Sequence, residues 1–263
     1  MGTGTQGTSQ NQTAPDFLMG GGEMSQLIRS LDWTHSPIGP VTSWPQSLKT
    51  SVSICLASGF PVLLWWGSEL VMLYNDAYRA IIADKHPRAM GRPGRECWPE
   101  IWSTIGPMLE NVIKRGETSY FEDLMLPLKR RGFTEECYFT FTYSPIRDES
   151  GGVRGVFCAV TETTERVYSE RQLAFLRELS AATTDARTVH DAIERIMSCL
   201  TRSPTDLPFA VLYQEEPNGE RLVRVGMAGL HSDAASVPAS MPVGASSPWR
   251  LEEVAATRSS EVI

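Results

Sequence analysis

The sequence predicts a mixed α+β chain: a five-stranded antiparallel sheet with helices on one face, then a helical linker and part of a second α+β unit. Three observations carry this. Phe139, Phe141 and Tyr143 alternate with Thr140 and Thr142, the period of a strand with one apolar face. Turn residues at Asp148–Gly152 lead into the β-rich run Val153–Val160, so the two segments predict a hairpin. Ile105, Met108, Leu109, Val112 and Ile113 repeat at helical spacing, with Gly116 placed to end that helix.

Taken in order, residues 1–23 are mostly Gly, Thr, Gln, Ser and Asn and are expected to be disordered, having too few apolar groups to offset ordering. Residues 24–59 form a helical extension: a short helix over Met24–Trp33, an irregular Trp- and Pro-rich segment through Pro45, then a helix capped by Ser43. The apolar stripe of that helix is Leu48, Val52, Ile54, Cys55 and Leu56. Phe60–Trp66 and Leu70–Tyr74 predict the first hairpin, turning at Gly67 and Ser68. Asn75 caps a short helix that ends near Ala83 and has Tyr78, Ile81 and Ile82 on one face. Lys85–Glu100 is loop with one helical turn, and Tyr120–Leu128 is a third strand.

Beyond the sheet, Glu165–Thr183 reads as helix, with Val167, Leu173, Leu176 and Leu179 as its larger apolar residues but fewer than three clean heptads. Val189, Ile193, Ile196, Met197 and Leu200 stripe another helix, and Thr188 and Asp191 stand at capping-box spacing. Strands follow at Phe209–Gln214 and Arg221–Ala228, joined by a turn at Glu216–Gly219. A helix is expected over Trp249–Ala256, and Ser260–Ile263 stops where a further strand should begin.

Composition narrows the function. A formal charge of -7 without a basic stripe argues against nucleic acid; the densest basic run, Lys129, Arg130 and Arg131, reads as a solvated turn. No apolar run is long enough to span a membrane and no signal peptide is evident, so the expected location is cytoplasmic. Five cysteines and four histidines are dispersed, which disfavours a zinc site and suits reduced, buried thiols.

The region from Asp32 to Arg166 resembles a PAS domain of the kind near the front of bacterial sensor histidine kinases. The resemblance is carried in order by Asp32-Trp33, Gly39-Pro40, Ser43-Trp44-Pro45, Phe60-Pro61, Tyr74-Asn75-Asp76-Ala77-Tyr78, Lys85-His86-Pro87, Trp98-Pro99-Glu100-Ile101-Trp102, Tyr138-Phe139-Thr140-Phe141, Tyr143–Asp148 and Thr164-Glu165-Arg166. It implies a PAS sensory domain over 60–166 and a signalling linker helix over 167–184. The segment 185–263 resembles the opening of a GAF domain.

Such domains leave their last strand through Asp-x-Thr; here Glu162-Thr163-Thr164 stands instead, and the resemblance implies a signal-relay role for Glu162, Thr164 and Arg166. It further implies a homodimer paired through the linker, a downstream kinase or other output domain, and a two-component phosphorelay.

No catalytic constellation is present. Gly20, Gly21 and Gly22 lack the Lys-Ser/Thr of a phosphate loop, so any kinase or serine phosphatase activity would belong to sequence past Ile263, with this chain a fragment. Gly94-Arg95-Glu96-Cys97 resembles the Gly-Arg-Asn-Cys of flavin light sensors but has Glu96 for Asn, and His86 lies in a turn ahead of the main helix. Flavin through Cys97 and haem through His86 are therefore disfavoured, and no cofactor is expected. Trp65, Tyr74, Tyr78, Trp98, Phe139, Phe141 and Phe157 are candidates to line an apolar pocket for a small ligand; the competing reading is that they fill the core of a ligand-free dimerisation scaffold.

Overall fold

The computed structural model describes residues 16–19, 22–230 and 237–243, with isolated positions at 251, 254 and 257. Most of the N-terminal tail, His231, most of the helix expected over Trp249–Ala256 and the segment Ser260–Ile263 lie outside the described residues. The chain divides into two compact units at Val167 and Tyr168.

The first unit holds the five-stranded antiparallel sheet. Its strands are β1 (Val62–Trp66), β2 (Val71–Tyr74), β3 (Ser119–Arg130), β4 (Phe133–Arg147) and β5 (Val153–Glu162), ordered β2-β1-β5-β4-β3. The last strand in sequence is thus the central one, pairing Leu64 with Phe157 on one side and Tyr143 with Cys158 on the other. Between β2 and β3 come short helical turns at Asp76–Tyr78 and Ala83–Lys85, a helix at Arg79–Ile82, another at Gly94–Cys97 and a longer one at Trp102–Arg115. Counting the N-terminal helices Glu23–Ser30 and Gln46–Ala57 as α1 and α2, these three are α3, α4 and α5.

Local chemistry explains the joins. Asn75 is fully buried: its Oδ1 accepts from the backbone of Val62 (3.0 Å) and Tyr78 (3.1 Å), and its Nδ2 donates to Ser58 and Phe60 carbonyls. One amide therefore caps the turn after β2 and fixes the start of β1. Gly116 ends α5 at φ +68°, its N–H returning 2.8 Å to the Val112 carbonyl. Asp148 organises the final hairpin turn, accepting from the Ser150 hydroxyl, from Arg154 and from the backbone N–H groups of Ser150 and Gly152, contacts that hold its carboxyl down at about 2.

Strand β1 is buried along its whole length, so it is covered on both faces. Leu63 and Trp65 look toward α3–α5; α2, which contacts β1, β2 and β4, brings Val52, Cys55 and Leu56 to the same buried cluster. Trp33 and Trp44 meet edge to face at 5.0 Å, and their indole N–H groups donate to the Ile28 and Gly39 carbonyls, pinning the irregular segment between α1 and α2.

Three sequence expectations need correction here. Ser43 does not cap α2, because its hydroxyl donates to Pro40; the helix terminus is met instead by Glu149 from the last hairpin turn, which accepts from Ser47 N–H at 2.8 Å. Ile54 is 57% exposed and outside the α2 stripe. The basic run is not a solvated turn either: Lys129 and Arg130 belong to β3, only Arg131 enters the turn, at φ +56°, and Arg130 is 6% exposed.

The second unit contains most of α6 (Thr164–Thr184), α7 (Val189–Thr201) and strands β6 (Ala210–Glu215), β7 (Arg221–Ala228) and β8 (Ser240–Pro242), the strands ordered β6-β7-β8. Thr188 caps α7 by accepting from Asp191 N–H. Gly226 lies against the Met197 sulfur, where a Cβ would stand 2.4 Å away, which seats α7 on β7. Helix α6 has no buried residue among those described. No helix among the described residues is long and apolar enough to cross a membrane.

Candidate functional site

Where β5 runs into α6, a charge pair between the buried Arg130 and the half-buried Glu162 closes the sheet. Arg130 on β3 donates from Nη1 to Glu162 Oε2 (3.0 Å) and from Nη2 to Oε1 (2.6 Å), while its Nε donates to Glu135 Oε2 (2.7 Å). A planar guanidinium suits this fork, and the pair spans β4, which lies between the two strands. Burial pushes the Glu162 carboxyl up, but the Arg130 hydrogen bonds and charge, with Thr164, outweigh it and hold the group below its ordinary value. Thr164 Oγ1 donates to Glu162 Oε1 and accepts from Tyr138 N–H, both at 3.0 Å; Thr163 N–H adds 2.8 Å to the Tyr138 carbonyl. The first residue of α6 is therefore bonded to β4.

A second tether stands beside the first. The β3–β4 register shifts between Phe121 and Leu124, and Asp123 within that bulge has φ +47°. Its carboxylate accepts from Thr163 Oγ1 (2.8 Å), Thr140 Oγ1 (3.3 Å) and Arg166 Nη2 (2.5 Å), and these bonds, Arg166 foremost, keep it ionised to lower pH than usual. Glu162, Thr164 and Arg166 thus meet the sheet through two separate carboxylate contacts.

Beneath the sheet, Trp65, Tyr78, Trp98, Phe139 and Phe141 line one cavity of about 40 Å³ together with Leu63, Ile81, Ile105, Tyr143, Cys158 and others. The buried Trp65 indole N–H has no partner among the described residues. Tyr74 and Phe157 are not at this cavity. Tyr74 bonds His86 Nδ1 at 3.0 Å, and Phe157 has the opposite strand parity to Cys158 and is half-buried.

Residues 58–168 match a family model described as PAS fold. This segment is a PAS domain. Solved structures similar to the chain include an RNA-binding light-oxygen-voltage receptor (17% identity, TM-score 0.38, covering 56% of this chain and 42% of that one). A sensory box sensor histidine kinase from Vibrio cholerae (14%, TM-score 0.30) aligns over 44% of this chain and 87% of that one. The PAS domain of BvgS from Bordetella pertussis (19%, TM-score 0.38) aligns over 51% and 98%. No curated protein matches the sequence.

The cavity of this PAS domain is far below the several hundred Å³ that drug-sized molecules occupy, so flavin and haem do not fit it as it stands. Nor are the thiol and imidazole that would engage them at its wall: Cys97 points its Sγ toward the Ala89 carbonyl at 3.9 Å, with burial pushing the thiol up to about 11, and His86 faces Tyr74. Sequence reasoning missed Arg130, Asp123 and Tyr138. Arg130 was readable in principle, since it continues the inward parity of Leu126 and Leu128; Asp123 interrupts its strand's alternation; Tyr138 acts through its backbone and leaves no side-chain signal.

Proposed function

We propose that this chain is a sensory input module of a two-component signalling protein, in which the PAS domain relays a signal through Glu162, Thr164 and Arg166 into the linker helix. The reading includes an output domain that follows, a partial GAF-like fold over 185–263 and a homodimer paired through α6. The observation that carries it is the Arg130–Glu162 fork with Thr164 bonded to both Glu162 and β4. Phe139, which lines the cavity, sits directly opposite Glu162 in the β4–β5 register. A change in packing under Phe139 is therefore delivered one residue pair away from the tether. A ligand or partner drives such a change only by binding two arrangements with different affinity. No step requires catalysis within the chain.

The small cavity favours, as a second reading, a partner or dimer contact as the stimulus, with the core serving as scaffold. The test of the relay is Glu162→Ala with Thr164→Ala in the full-length parent, assayed by its output. Constitutive or abolished output supports the relay, and a stimulus response equal to wild type rejects it.

A further inference from the structure

Outside the cavity and the tethers, one surface concavity of about 380 Å³ is walled by the turn at Ala83–Lys85, by α4 and by the end of β3. Its rim carries Lys85, Arg88, Arg92 and Lys129 against Glu96 and Glu100, an excess of positive charge on a chain whose formal charge is -7. The charges are not equally free. Lys85 lies over the Trp98 ring at 3.9 Å and ion-pairs with Glu100, whose Oε1 also accepts from Lys129 N–H at 3.0 Å, so this pair builds the wall. Arg92 meets Glu96 only at 3.7 Å with both side chains more than half exposed, a contact water and salt largely screen. The Arg88 guanidinium and the Lys129 ammonium have no acidic partner among the described residues, whereas Arg79, Arg130, Arg154 and Arg166 are each paired.

We infer that this groove binds a small organic oxyanion, a phosphate ester or a carboxylate, held by Arg88, Arg92 and Lys129 with its body against Ala89, Cys97 and Pro99. The volume lies within the range of small-molecule sites, and a guanidinium fork matches a phosphate or carboxylate edge. Ala89 is buried and Cys97 half-buried in the lining, while Arg88, Arg92 and Lys129 are exposed, an arrangement that suits a ligand with its anionic end outward. Lys129 directly precedes Arg130, the residue that holds Glu162, so an occupant would bear on the tether; this consequence rests on the relay reading, the binding itself does not.

The probes are inorganic pyrophosphate, inorganic phosphate and citrate, titrated calorimetrically into the full chain at constant ionic strength. Saturable 1:1 binding of any of them is expected, weakened about tenfold or more by Arg88→Gln with Lys129→Gln and unchanged by Lys114→Gln on the exposed side of α5, as charge-assisted contacts require. Preference for the phosphates or for citrate assigns the ligand class. Absence of saturation at millimolar concentration, equal affinity in the double variant, or equal weakening by Lys114→Gln overturns the site. Amide exchange at 162–166 with pyrophosphate or citrate bound reports the coupling separately: binding without a change there keeps the site and removes its link to the relay.

Discussion

Arg130 and Glu162 form a two-point contact, at 3.0 and 2.6 Å, that joins the edge strand β3 to the central strand β5 across the intervening β4. Their side chains are 7% and 27% exposed, so the charges are shielded enough to matter and open enough to respond to solution conditions.

That contact gives the fold an acid-sensitive component. Because the Glu162 carboxyl titrates below its ordinary 4.5 in the folded chain, the pair stabilises fully above that value and its contribution is lost as pH falls through the folded one. Glu162→Gln is expected to cost about 1.5–3 kcal/mol near pH 7, the range for a hydrogen bond to a charged group. Calorimetric melting points of wild type and variant should converge as pH drops below 4.5. A gap that stays constant from pH 7 to pH 3 contradicts this account.

Asp123 combines a strained backbone with a tether, and two substitutions separate them. Asp123→Ala loses the contacts to Thr163 and Arg166 and keeps a side chain at φ +47°; Asp123→Gly loses the same contacts and relieves the backbone. Both should speed amide exchange over 163–167 to a similar extent, and the alanine form should be less stable by about 1 kcal/mol. If the glycine form keeps native protection at 163–167, Asp123 does not hold the start of α6.

The sheet and the main helix were legible because their apolar residues recur at period two or at i, i+3, i+4, and little competes with that signal in Phe139–Tyr143 or Ile105–Ile113. The tether was only half legible. Glu162 and Thr164 were marked by family resemblance, but Arg130 looked like a turn because three basic residues in a row read as solvated, and only the pairing of β3 with β4 turns its side chain inward. Tyr74 and Phe157 were assigned to the pocket by residue type; strand parity and the His86 hydrogen bond place them elsewhere. The third strand of the second unit, Ser240–Pro242, is too short to carry a period.

The thiols should differ in reactivity by burial. Cys55, Cys137 and Cys158 are enclosed, whereas Cys97 is partly open at the groove with its thiol pushed up to about 11. Under native conditions Cys97 is expected to be alkylated before those three, slowly at pH 7 and about tenfold faster per pH unit up to pH 10, since the thiolate is the reactive form. Mass mapping of iodoacetamide adducts checks the order, and first labelling at Cys158 would contradict the packing of β5.

Gly94 lets α4 close over the cavity wall. A Cβ there would stand 2.3 Å from the Trp65 ring and 2.9 Å from that of Trp102. Gly94→Ala is therefore expected to destabilise by about 1–3 kcal/mol through overpacking and to alter the near-UV tryptophan signal. Gly151→Ala, where nothing lies within 4 Å but φ is +85°, should lose about 1 kcal/mol and leave that signal unchanged. Urea midpoints and near-UV dichroism distinguish the two; an unaltered tryptophan signal in Gly94→Ala would mean that Trp65 can move aside without consequence.

Leu173 and Leu176 test the proposed pairing of α6. They are 53% and 57% exposed on a helix that buries none of its described residues, although Arg171 and Glu178 of α6 ion-pair with Asp206 and Arg202. If a second α6 covers them, replacing both by alanine removes apolar burial from the dimer alone, about 1–2 kcal/mol for each and hence roughly tenfold in dissociation constant per leucine. Within a single chain the same change costs almost nothing, because alanine favours helix and the leucines were already solvated. Sedimentation equilibrium is therefore expected to show dimers in wild type and weaker association in the double variant at an unchanged unfolding midpoint of the first unit. A wild type that stays monomeric at about 100 micromolar, a concentration at which even a weak specific interface would populate the dimer, removes pairing through these residues from the proposed relay.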